Sequence, residues 1–237
     1  MTGQARKSSC GWTFINTDIM PRFLRHALAL SLSAAPLAAQ AYNYPALQLP
    51  VLVEREYNFA AANAGRAGTS LLFQWRESAH PAWQFSFDGG LAAPDKPDKG
   101  DTRILFAGAM AWQALRAQEE LPFDVALTFG AGFSSGSGSN VVRIPVGASV
   151  GHTFELADGF SLTPFAHPRL SLDRCSNCKA GGTSDSKLNV DVDVGVNFEI
   201  NKQVAARAAL LLGGADYLGA TNAVGFSVAW TPRGLRK

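Results

Sequence analysis

Residues 188–200 read LNVDVDVGVNFEI and alternate without a break. Leu188, Val190, Val192, Val194, Val196, Phe198 and Ile200 are apolar, and every residue between them is Asn, Asp, Glu or Gly. Successive side chains on a strand point to opposite faces, so this run has one hydrocarbon face and one face carrying carboxylates and amides. A helix would mix the two sets around its circumference. The apolar face needs either a second apolar sheet or lipid against it, and the rest of the sequence has to decide between them.

The same period recurs along the chain in residues 53–61, 71–77, 83–91, 103–114, 123–133, 142–156, 161–173, 204–214 and 223–230. The run at 123–133 is as clean as the first, with Phe123, Val125, Leu127, Phe129 and Phe133 opposing Asp124, Thr128, Gly130 and Gly132. Pro164 and Pro168 make 161–173 the weakest of the set. No helical window interrupts the series, and strands at this spacing with turn signals between them predict an all-β sandwich or barrel.

The connections alternate as well. ANAGRAG, APDKPDKGD, SSGSGS, RCSNCKAGGTSDS and ADYLGATN are mostly long and rich in Gly, Ser, Asp or Lys, whereas ESAHP, ADG and NKQ are short; LRAQEELP is the long exception. Long loops at one end and tight turns at the other are expected of an up-and-down barrel in an outer membrane. The predicted fold is therefore an all-β, antiparallel, up-and-down transmembrane β-barrel of about ten strands, with eight as the alternative count.

Composition agrees with a lipid-facing surface. Charged residues make up 17% of the 237-residue chain, below the quarter usual for a soluble domain, and the net charge is only +2. Such a balance gives no reason to expect a nucleic-acid partner.

Residues 20–41 carry Arg22, Arg25 and His26, an apolar run from Ala27 to Leu37, and small residues at Ala39 and Ala41. Those are the three parts of a secretory signal, with a cut after Ala41. Met20 is read as the start, residues 1–19 as an extension ahead of it, and Cys10 as absent from the mature protein. Residues 42–51 then form a periplasmic N-terminal segment that could pair with a strand, plug the lumen or link. Residues 52–231 form the barrel and 232–237 a short tail.

In this arrangement the polar faces line the interior. The expected lumen charges are Glu54, Glu56, Arg76, Asp88, Arg103, Asp124, Arg143, Glu155, Arg169, Asp191, Asp193, Glu199 and Arg207, with His167 among them. Unpaired charges in a nearly dry interior are costly, so these groups should pair across the barrel. The aromatic residues Trp75, Trp83, Trp112, Phe123, Phe154, Phe198 and Trp230 fall near strand ends, as an interfacial girdle requires.

On these patterns, over about residues 52–231, the chain resembles the small outer-membrane β-barrel proteins of Gram-negative-type bacteria, the broad group of OmpA-like, OmpX-like and OmpW-like barrels. The resemblance implies the bacterial outer membrane as location, with outer-membrane lipid and the barrel-assembly machinery as partners. Barrels of this group typically close on an aromatic residue; FSVAW fits through Trp230, but TPRGLRK follows it, a departure from that ending.

Ten strands lie near the count at which side chains fill the interior. The expected role is thus structural, with a narrow pore for ions or small polar solutes as the sharper form. Cys175 and Cys178 lie in the longest outer loop, and a short loop disulfide is preferred there to redox chemistry or a zinc site, for which further ligands are lacking nearby. No cofactor or metal is expected. There is no Gly-x-Ser-x-Gly elbow, His-Glu-x-x-His or phosphate loop, so the non-enzymatic reading stands first. A membrane-embedded hydrolase and a secreted β-sandwich binding protein are the alternatives, and the sequence does not fix the oligomeric state.

Overall fold

The computed structural model describes residues 46–65, 68–94, 102–136, 138–156, 159–178, 184–215 and 220–232. Ten long strands carry the fold: β1 (Arg55–Asn63), β2 (Thr69–His80), β3 (Trp83–Ala93), β4 (Arg103–Leu115), β5 (Asp124–Gly136), β6 (Ser139–Gly151), β8 (Ser161–Ser176), β9 (Asp185–Glu199), β10 (Val204–Ala215) and β11 (Ala220–Trp230). A two-residue strand, β7 (Phe154–Glu155), pairs with the start of β8. Sequential long strands pair antiparallel, β1 pairs with both β2 and β11, and β6 pairs with both β5 and β8. The sheet has no free long edge and is a closed up-and-down barrel.

A single closed sheet leaves no second sheet for the apolar faces to meet, which removes the β-sandwich alternative. The polarity is instead inside out. Phe59, Leu71 and Val190 on the outer face are 62%, 60% and 62% exposed, while Glu56, Gln74 and Asp191 on the inner face are fully buried. A soluble protein does not present an apolar band of this size to water, whereas a membrane barrel must present one to lipid. Strands of 9 to 16 residues are long enough to cross the hydrocarbon layer at a tilt.

Trp75, Trp83, Trp112 and Trp230 lie at the end where β1 begins and β11 finishes, while Phe106 and Phe133 lie toward the other end. Register places Tyr57 opposite Trp75 and Trp230, and Trp83 opposite Trp112. The Tyr57–Trp230 and Trp83–Trp112 rings stack at 5.5 and 6.1 Å, and Phe160 stacks on Phe198 at 5.7 Å. Trp75, Phe123 and Phe154 are exposed at the same end.

At the opposite end the strands run further than the alternation of loops suggested. SSGSGS, expected to be an outer loop, is mostly ladder: Ser135 pairs with Asn140 and Gly136 with Ser139, leaving only residues 137 and 138 between β5 and β6. Small residues fit a pleated pair once neighbouring strands supply the hydrogen-bond partners, so Gly and Ser content alone did not mark the turn. Likewise β8 extends through Cys175, and β9 starts at Asp185. The single strand expected over 142–156 is interrupted after Gly151, and pairing resumes only at Phe154. The secretory signal, residues 1–19, the first residues of the N-terminal segment and most of the tail lie outside the described residues.

Candidate functional site: the barrel lumen

Alternation along each strand decides which side chains enter the lumen, and register decides which of them meet. Glu56 of β1 lies directly opposite Arg76 of β2, and Arg143 of β6 opposite Asp173 of β8. Directly opposed side chains on one face are close enough to bond. Arg76 Nη1 donates to Glu56 Oε1 at 2.9 Å, and Arg207 reaches the same carboxylate from β10, its Nη1 donating at 2.8 Å. Arg207 Nε also donates to Asn197 Oδ1 at 2.8 Å.

A second network fills the side formed by β6, β8 and β9. Arg143 grips Asp173, with Nη2 to Oδ2 at 2.6 Å, and its Nη1 lies 3.3 Å from Asp191 Oδ2. Asn189 donates to Asp173 at 2.7 Å, and Ser171 to Asp191 at 3.1 Å. Arg169 holds Asp193 with two hydrogen bonds of 2.9 and 2.6 Å. His167 is fully buried between them, its Nε2 2.8 Å from Thr128 Oγ1 and its Nδ1 4.0 Å from Asp193 Oδ2. A third chain of contacts runs from Asn58 through Gln74 to Asp88, at 2.6 and 2.8 Å.

Not every expected lumen charge joins these networks. Glu54 and Glu155 are exposed. Glu54 precedes the start of β1, and Glu155 keeps the inner parity, opposite the buried Ser161, but sits in the two-residue β7 at the very start of β8, where the wall no longer covers it. Glu199 is half-buried at the girdle end, and Asp124 is buried there, accepting the Ala117 N–H at 3.1 Å. Arg103 is buried at the opposite end and binds Gly136 O at 2.9 Å and Ser139 Oγ at 2.8 Å, tying the β5–β6 tip to β4. Asp173 was missed in the sequence. It shares the parity of Arg169 and His167, but it closes the proline-interrupted run, where the strand was expected to end. Cys175 and Cys178 form a disulfide at that outer end, with Cα atoms 5.8 Å apart.

Residues 46–53 enter the barrel, the plug among the three arrangements open for the N-terminal segment. Ala46, Leu47, Gln48, Leu49 and Leu52 are all buried, and their main chain is bound by inward side chains of five strands. Ala46 O accepts from Gln74 Nε2 and Arg76 Nη2 at 3.1 and 3.0 Å, and the Leu47 N–H donates to Asp193 Oδ2 at 3.3 Å. Ser149 Oγ donates to Gln48 O at 2.7 Å, while Gln113 donates to Pro50 O at 2.8 Å and accepts from the Leu52 N–H at 3.0 Å. Val53 O accepts from Ser78 Oγ and Gln84 Nε2 at 2.7 and 2.8 Å. Leu47 and Leu49 pack with Ala60, Leu72, Ala92, Leu105 and Leu211 on the inner wall. A Cβ at Gly151 would collide with Pro164 O of β8 and lie 3.0 Å from Pro50 Cγ, so glycine there serves both the strand pair and the segment. The segment thus crosses the lumen as a cork. ALQLPVLV gives no strand or helix period, so only its apolar content hinted at burial.

No protein-family model matches the sequence, and no curated protein matches it. Among solved structures, the KdgM porin is similar at 8% identity and a TM-score of 0.39, covering 75% of this chain and 99% of its own. LpxR from Salmonella typhimurium matches at 11% identity and 0.39, covering 84% and 86%. Neisserial surface protein A matches at 14% and 0.27, covering 74% and 93%. The class rests instead on the chain's own geometry: a closed, inside-out, ten-stranded barrel with an aromatic belt is a membrane β-barrel. Within that class it is a barrel whose lumen is occupied by ion-paired side chains and by its own N-terminal segment.

Proposed function

We propose that the protein is an integral barrel of the bacterial outer membrane, exported by the signal at residues 20–41 and inserted by the barrel-assembly machinery, with a structural role and a lumen closed at rest. The observation that carries this is the filled interior. Charges on the inner wall neutralise one another within hydrogen-bond distance, and residues 46–53 occupy the space they leave. Barrels near this strand number have interiors just wide enough for side chains, in keeping with a rigid core rather than a general diffusion channel.

A hydrolase reading draws on the hydroxyl, imidazole and carboxylate of Thr128, His167 and Asp193. Arg169 already holds both oxygens of Asp193, and all three groups are buried with no rim for a substrate. The arrangement serves the core better than catalysis.

The test is expression from Met20 in a Gram-negative host, followed by gel electrophoresis of the outer-membrane fraction with and without boiling. A heat-dependent mobility shift in that fraction is expected. A soluble protein with no shift would overturn the proposal.

A further inference from the structure

The ion pairs of the lumen do not run through the cork, although Gln74, Arg76 and Asp193 also bind its main chain. Arg143 with Asp173, Arg169 with Asp193, and Arg76 and Arg207 with Glu56 link neighbouring or next-but-one strands, and none of these bridges runs through residues 46–53. Withdrawal of the segment would therefore leave the barrel's ion pairs standing. Among the described residues, the segment runs on into the barrel where Val53 and Glu54 lead into β1, and Glu54, exposed there, is the hinge that withdrawal requires.

The seated conformation also stores strain. Leu47 has φ of 58°, a left-handed backbone that a Leu side chain disfavours, and it is held there by the Asp193 hydrogen bond and by apolar packing. Strain in an overdetermined segment is a mark of switching elements. The wall behind it is prepared for water. Asn58 Oδ1, Asp88 Oδ1, Asp191 Oδ1 and Asn197 Nδ2 are buried without a protein hydrogen-bond partner, and such atoms are the ones water or a small ion satisfies.

We propose that residues 46–53 are a gate, and that its withdrawal toward the girdle end opens a narrow path for small ions past Asp88, Asp191 and the arginines of the inner wall. This deepens the closed-barrel reading and rests on it. Asp193 acts as the latch, because it is the wall carboxylate that binds the segment's main chain while keeping its own arginine in either state.

The experiment uses the chain expressed from Met20, purified in detergent and fused into planar bilayers in potassium chloride. A loosened variant, Leu47→Ser with Leu49→Ser, removes the apolar anchors and leaves every ion pair. Its openings should be roughly tenfold more frequent than those of the unaltered protein, or more. In a second variant Cys175 and Cys178 are Ser, and Gln48→Cys is paired with Gln84→Cys, whose native side chains meet at 3.3 Å. A short reducible thiol crosslinker should abolish its openings, and reduction should restore them. Loosened protein that shows the heat shift yet opens no more often, or a crosslink without effect on openings, overturns the gate. Loss of the heat shift in the unaltered protein would instead overturn the barrel reading. Should the loosened variant fail to assemble, Gln48→Cys alone decides, with Cys175 and Cys178 again Ser: slow labelling by a water-soluble maleimide is expected, and complete protection over hours refutes withdrawal.

Discussion

The inner surface has two walls of opposite design. On β1, β2, β4 and β10 it is lined in its apolar stretch by Ala60, Ala62, Leu72, Ala107, Ala209 and Leu211, whereas β6, β8 and β9 present Arg143, Arg169, Asp173, Asp191 and Asp193. The charged wall fills its own volume, since each long arginine lies along the inner face onto a carboxylate of a neighbouring strand. The alanine wall cannot fill its volume, and Leu47 and Leu49 do so for it. One barrel thus closes its lumen in two ways, by side chains fixed in the wall and by a segment borrowed from the N-terminus. Only the second can leave.

The charged wall is the easier to break. Arg143→Ala would leave Asp173 and Asp191 facing each other without their shared cation. Stranding buried charges costs about 3–5 kcal/mol. The midpoint of the heat-dependent mobility shift should fall steeply relative to the unaltered protein, and urea titration in detergent should agree. A near-neutral result would mean that water already screens these carboxylates and that the wall is wetter than its burial suggests.

The alanine wall should respond less, and differently. Ala107→Leu adds bulk where Leu47 and Leu49 pack, and overpacking of a filled core costs about 1–3 kcal/mol. Here the added side chain can be relieved by expelling the segment, so the expected signature is a modest fall in the mobility-shift midpoint with faster proteolysis near residues 46–53. If the protein loses stability without exposing the segment, the cork is a fixed part of the core and the difference between the walls disappears.

How far these walls could be read in advance follows from their physics. The charged wall is written in period two, as in Asp191 and Asp193 between Val190, Val192 and Val194, because each strand sorts its faces locally. Register is not local, so Arg169 could be placed inward from the sequence but its pairing with Asp193, the diagonal neighbour rather than the directly opposed Asp191, could not. Strand ends were blurred for the same reason: Ser134, Ser135, Gly136 and Ser139 join a ladder that only β4 and β8 on either side make favourable. A plug was one of three arrangements open for residues 42–51, and the sequence could not choose it because the cork's structure is dictated by the wall. Its main chain bonds to Gln74, Gln84, Gln113 and Ser149, residues that lie 28 to 101 positions away and carry no signal of a bound segment.

The smallest expected effect tests where the inner wall stops. Glu54 and Glu56 are two residues apart and share a parity, yet Glu56 is fully buried with two arginines on it and Glu54 is exposed. Glu155 is exposed in the same way beyond the break after Gly151. Surface substitutions away from special contacts stay within about 0.5 kcal/mol, so Glu54→Gln and Glu155→Gln should leave the mobility-shift midpoint almost where it was. Glu54 has one further consequence if it marks the hinge of the gate. Its substitution should alter neither the midpoint nor the single-channel current, because it lies outside the path, and only the frequency of openings could move. A loss of stability comparable to that of Arg143→Ala would place Glu54 inside the wall, extend the charged lining to the mouth, and move the hinge nearer to Pro50.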